Sequence, residues 1–251
     1  MKKRIMKKRI LILILIAAHV LLLGGCTIVA PITRTIKGEG EIVSRTYETD
    51  DFTGIDIGGS SYVTFRYSDS SSVVIETYEN LFEHLEVKTA GGVLDIGFGN
   101  NVSVDTGRNK VQIHISSPLL TSIDFGGSVE AKDWDTIRAE HFSIDVSGSG
   151  NVNISLEVES LDIDASGSAA IELSGSANTV VIDKSGSSNI NAISLQTKDA
   201  DIESSGSGSI EIAVSDSMKV DLSGSGRIRY IGSPSIRQDV SGSARIEKIS
   251  D

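Results

Sequence analysis

The chain has 251 residues, with 23 Lys and Arg against 34 Asp and Glu and a formal net charge of −11. That acidity argues against nucleic acid as a partner, and a single cysteine excludes an internal disulfide. Aromatic residues make up 5% of the chain and Trp134 is the one tryptophan, which is sparse for the subsites of a carbohydrate-active enzyme.

Residues 1–25 read as an export signal. Lys2, Lys3, Arg4, Lys7, Lys8 and Arg9 form a basic start, and Ile10 to Leu23 is an apolar run of 14 residues broken only by His19. That is short for a bilayer span and right for a signal-peptide core. The run closes on Leu23-Gly24-Gly25-Cys26. This resembles the bacterial lipoprotein signal, in which a small-residue pair precedes a cysteine that is lipidated and becomes the mature N-terminus. The resemblance implies lipidation at Cys26, an exported chain and a membrane anchor on the extracytoplasmic face. The alternative is a free cysteine behind a plain signal. Losing the six basic residues leaves 17 Lys and Arg against 34 Asp and Glu, a net charge of −17.

Residues 26–37 read as a tether, with Pro31 and no alternation of buried and exposed positions. Residues 38–120 form a less regular half of one domain. Period-2 alternation predicts strands at Ile55–Ile57, Tyr62–Tyr67, Val73–Glu76 and Lys110–Ile115. Asn80 to Leu85 is the one stretch with a helical turn, and Asn80 is its candidate cap. Glu86–Lys88 and Val93–Ile96 flank Gly91-Gly92, a hairpin signal.

Residues 121–251 carry a repeat. Ser-Gly-Ser recurs around Gly148, Gly167, Gly186, Gly206, Gly224 and Gly242, at spacings of 19, 19, 20, 18 and 18 residues. Looser copies stand at Gly126-Gly127-Ser128 and Gly58-Gly59-Ser60. Four residues before the glycine lie Ile144, Ile163, Ile182, Ile202 and Val220, then Gln238. Four residues after it lie Val152, Ile171, Ile190, Ile210, Ile228 and Ile246. Apolar columns on both sides of a glycine corner describe short strands with one buried face. A single such unit cannot bury its apolar face, whereas a parallel stack makes one continuous core. The expected fold is all-β: a parallel β-helix-like solenoid with coils of about 18–21 residues.

Phe52-x-Gly54-Ile55-x-Ile57-x-Gly59, then Asn80-Leu81, then Gly92-Val93-Leu94-x-Ile96, followed by Ser-Gly-Ser coils, resembles the GIN-domain family. Its members are head domains of autotransporter adhesins found on bacterial surface lipoproteins. The resemblance spans Gly38 to Asp251, implies a parallel β-helix-like fold and brings no catalytic residues with it.

Three residues before each glycine the column is acidic: Asp145, Asp164, Asp183, Glu203, Asp221 and Asp239, with Asp124 and Asp56 in the looser copies. In a parallel stack these would lie about 4.8 Å apart, where full charges repel by roughly 0.9 kcal/mol even in bulk water. Three readings stay open. Each carboxylate caps its own corner as in an Asx turn, or the column is a cation ladder with calcium as the natural ion, or it is a stripe that touches a polar ligand. No Gly-x-Ser-x-Gly elbow is present, and His84, His114 and His141 lie in unlike contexts without zinc spacing.

Three features depart from the repeat. Trp134 sits between Asp133 and Asp135, an extra Ser174-Gly175-Ser176 follows Gly167, and Arg227, Arg229, Arg237 and Arg245 gather at the C-terminal coils. Gln238 and Lys248 replace apolar residues in the last coil, as expected of an end cap. The expectation is a non-enzymatic surface module that binds a glycan, a cell-wall polymer or another surface protein. A structural spacer or self-assembling envelope protein is the competing class, and a carbohydrate-active enzyme is the third.

Overall fold

The computed structural model describes residues 34–99 and 101–250. The expected export signal, Cys26 and the tether up to residue 33 lie outside the described residues. Arg34–Lys37, the end of the expected tether, instead runs as a strand parallel to Val102–Asp105, so the ordered fold begins before Gly38.

The regular half is a parallel stack. Ile137–Gly148, Asn151–Gly167, Ala170–Lys184, Asn189–Ser204 and Ser209–Leu222 each lie against the next in sequence order. Register follows the glycine period: Ile144 faces Ile163, Ile163 faces Ile182, Ile182 faces Ile202, and Ile202 faces Val220. All five are buried. The second apolar column, Val152 through Ile228, is buried likewise. Stacking like on like puts β-branched side chains in contact from coil to coil, which is where strands gain most. Departures from a 19-residue coil are absorbed by bulges at Glu172/Ser174 and Ala192/Gln196, so the corners stay aligned.

At each corner the serine after the glycine donates its N–H to the glycine carbonyl one coil back. Ser168 reaches Gly148 at 2.8 Å and Ser187 reaches Gly167 at 2.7 Å. Gly167 and Gly186 have φ of 96° and 81°. A β-carbon on Gly186 would also lie 2.6 Å from the Gly167 carbonyl oxygen. Glycine is therefore required twice over, for its backbone conformation and for its thinness.

The N-terminal half continues the stack before closing it. Gly54–Ile57 lies parallel to Ser122–Gly127, pairing Ile55 with Ile123, and Val93–Phe98 lies parallel on its other side. Beyond these, antiparallel strands take over. Leu85–Ala90 folds back on Val93–Phe98 through Gly91-Gly92, the hairpin expected from sequence. Ser72–Tyr78 runs antiparallel to Val111–Ser117 and to Ile42–Tyr47. One buried cluster from Phe52 to Ile228 runs through both halves. The short helical turn is a 3₁₀ segment, Glu79–Leu81, and Asn80 does not cap it. Its amide instead donates to Lys37 O (2.8 Å) and accepts from Glu39 N–H (2.9 Å), tying the incoming chain to the domain.

Candidate functional site

The stack turns the acidic column into a continuous ladder. Asp124 pairs with Asp56 on one side and Asp145 on the other, and the row runs on through Asp164, Asp183, Glu203 and Asp221 to Asp239. Asp95 extends it beyond Asp56, brought there by the hairpin strand rather than by a glycine corner. Lys88 faces Asp95 and closes the row. Partial burial, with Asp95 alongside, raises the Asp56 pKa above the ordinary carboxylate value. Asp124 is raised by burial and then by Asp145 and Asp56, and Asp145 by burial and then by Asp164 and Asp56. The corner amides that an Asx turn would use are already donated to the neighbouring coil. Among the described residues no three acidic, His or Cys side chains converge as metal ligands.

Elsewhere neighbouring coils carry matched pairs. Arg138 meets Glu157 at 2.9 Å, Lys219 meets Asp201 at 2.8 Å, Asn153 donates to Glu172 at 3.1 Å, and Arg229 meets Glu211. His141 Nδ1 lies 2.7 Å from Ser160 Oγ, with Asp162 3.6 Å from its other nitrogen. This is not a hydrolytic triad: the carboxylate contact is too long for a hydrogen bond, and His141 and Asp162 are over half exposed on an open sheet. It is one more cross-coil pair.

A second face carries the concave surface. Two columns follow the glycine corner, one through Glu130, Asn151, Ala170, Asn189 and Ser209, polar except at Ala170, the other through Asn153, Glu172, Asn191 and Glu211. They line a groove of about 460 Å³. Through Asn189 and Ser209 it runs into a hollow of about 690 Å³ bordered by Arg227, Arg229 and Arg245. Arg227 and Arg245 face each other across adjacent strands. At the other end Glu130 joins the groove to a hollow of about 320 Å³ with Tyr62 and Lys110. Glu130 is held there by Lys132 at 2.9 Å; that hydrogen bond outweighs burial and lowers its pKa. Lys132 also lies 4.8 Å over the Tyr62 ring.

The groove columns do not stand out in the sequence, although their signal is present. Aligning the coils on the glycine puts Asn151 with Asn189, and Asn153 with Asn191, at every second coil. Of the three departures from the repeat, Trp134 is half-buried and packs against the core: its Nε1 donates to Val63 O at 2.9 Å and its ring lies on Phe65 and Phe125. Gly175 lies where the strand crosses the Leu156 carbonyl, with φ of 104°. The arginines divide, three at the groove and Arg237 on the acidic face beside Lys219.

Among solved structures, one described as a putative adhesin from Bacteroides fragilis NCTC 9343 is similar at a TM-score of 0.78 and 26% identity, covering 85% of this chain and 100% of that one. Another, described as a putative lipid binding protein from Parabacteroides distasonis ATCC 8503, gives 0.69 at 22%, covering 86% and 100%. A third, described as a putative adhesin from Parabacteroides merdae ATCC 43184, gives 0.62 at 22%, covering 86% and 99%. The last two share the fold. No curated protein matches the sequence. Residues 51–234 match the family described as "putative auto-transporter adhesin, head GIN domain", and the chain belongs to that family.

Proposed function

We propose that the protein is a non-enzymatic adhesion module on the outer face of a bacterial envelope, anchored by lipid at Cys26. Its polar groove takes an extended polymer, a glycan or cell-wall chain. The observation that carries this reading is the groove itself: an amide or carboxylate group recurs once per coil along a concave strip that continues into a further hollow at each end. A strip with a period of about 4.8 Å presents equivalent hydrogen-bonding groups to successive units of a chain. Arg227 and Arg245 would take acidic substituents at one end.

Binding of the full chain to an array of glycans and envelope polymers tests this. The expected ligand is lost, about tenfold or more in affinity, when Asn153 and Asn191 become Ala together. Absence of binding to every polymer would overturn the reading and leave a projecting spacer. The anchor is tested separately: Cys26→Ser should leave unprocessed precursor, and normal maturation of that variant would sink it.

A further inference from the structure

The last coil is built like those beneath it, yet among the described residues nothing lies above it. Ile236 continues the core column of Phe142, Leu161, Val180, Ala200 and Met218, and Val240 continues that of Leu222. Those predecessors are buried, whereas Ile236 and Val240 are 37% and 39% exposed. All six residues of Ser235–Val240 are exposed. At the opposite end of the stack, among the described residues, the outermost strands are antiparallel to the strands they cover rather than a further copy of the coil.

The backbone of this strand is half used. In a parallel ladder alternate residues direct their N–H and C=O to opposite neighbours. Ser241 donates back to Leu222 O at 2.9 Å, so Asp239, Arg237 and Ser235 also point back. Ile236, Gln238 and Val240 point their amides and carbonyls into the open edge, a template for another strand.

We propose that this edge is an interface for a second copy of the same chain, joined by antiparallel pairing of Ser235–Val240 about a two-fold axis at Gln238. In that register Gln238 meets the partner's Gln238, Ile236 meets the partner's Val240, and Arg237 meets the partner's Asp239. Every outward backbone group is then paired. Centring the axis on Arg237 would leave Val240 opposite Pro234, centring it on Asp239 would leave Ile236 opposite Gly242 beyond the strand, and either would set like charges face to face. Charge therefore selects the register. The Arg237–Asp239 positions are also the non-hydrogen-bonded ones, where opposing residues come closest. Gln238, polar at the end of a column that is apolar from Leu94 to Val220, completes its amide against its own copy at the axis. It keeps the edge from being wholly apolar when the copies are apart.

The pair so formed is end to end, with the N-terminal halves at its two extremes. In the anchored reading, on which only this consequence rests, the two copies stand on facing surfaces and hold them together. A contact confined to one coil end belongs with small, weak interfaces.

Sedimentation of the full chain in excess mild detergent tests the pairing. The wild-type chain is expected to form dimers reversibly with concentration. Arg237→Asp and Asp239→Arg should each be monomeric, since each opposes like charges twice. The double variant should dimerise again, and the two single variants should pair with each other when mixed. A wild-type chain still monomeric at about 1 mM, dimers indifferent to both single reversals, or single variants that fail to pair when mixed would overturn the proposal. Polymer binding in the groove should be unchanged in all of them, which separates this interface from the adhesive groove.

Discussion

Gly148 lies over Gly127 of the preceding coil, so close that a β-carbon on it would strike the Gly127 carbonyl oxygen. Unlike the neighbouring corner glycines, Gly148 does not have a positive φ. Its need for glycine is steric alone.

That difference allows the two costs to be separated. Gly40 has φ of 90°, and a β-carbon added to it would meet nothing within 4 Å, so Gly40→Ala isolates conformation and should cost about 1 kcal/mol. Gly148→Ala isolates crowding and should cost about 2 kcal/mol. Gly167→Ala carries both and should cost the most. Denaturant unfolding of the three variants checks the order.

The acidic ladder gives a pH dependence. Asp56, Asp124 and Asp145 have raised pKa values, from burial first and then from their acidic neighbours. A carboxyl with a folded-state pKa above its unfolded value takes up its proton first in the folded protein. Its ionised form weakens the fold at neutral pH, and stability should rise as pH falls through the raised folded value towards the ordinary aspartate range. Asp124→Asn should stabilise the chain at neutral pH by a few tenths to about 1 kcal/mol and flatten that rise. Thermal melts across the range decide it.

Calcium is expected to act on this ladder as ionic strength does. The carboxylates stand one per coil, and no three converge among the described residues, whereas calcium takes 6–8 oxygen ligands. Melts in calcium and in sodium at equal ionic strength should agree. A calcium-specific rise, lost when Asp164 and Asp183 become Asn, would instead make the ladder a metal site.

Lys184 is 1% exposed, in a core column, and its ammonium donates to Ser207 O at 3.2 Å. Burial lowers its pKa. The charged form is therefore disfavoured in the folded state, and stability should rise as pH climbs through the folded value towards the ordinary lysine range. Lys184→Met keeps the volume and removes the charge. It should stabilise the protein at pH 7 by about 1–3 kcal/mol and abolish the alkaline gain, as read by urea unfolding at both pH values.

The regular half is legible because every coil repeats its neighbour. Once the glycines are aligned, Ile144, Ile163 and Ile182 fall into the register that the stack adopts, and the acidic column follows. The N-terminal half is less legible because its neighbours in space are far apart in sequence. Ile55 stacks on Ile123, marked only by the two looser Gly-Gly-Ser copies, and Asp95 reaches the ladder through a hairpin that no period marks. Asn80 reads as a cap because an Asn before an apolar pair suits a helix start. Its actual partners, Lys37 and Glu39, come from a segment 41 to 43 residues earlier. The groove is hidden for another reason: its polar columns look like ordinary solvated strand faces until the coils are curved into a trough.

The bulges that absorb coils of unequal length have a consequence for size. Because corners stay aligned whether a coil spans 18, 19 or 20 residues, a whole coil is a unit that duplication or deletion of a short gene segment adds or removes without disturbing either end. Each such step changes the length of the body by about 4.8 Å. A lineage can thus adjust how far the tip stands from its base in small, even increments, as on a ruler, while the groove simply gains or loses one rung.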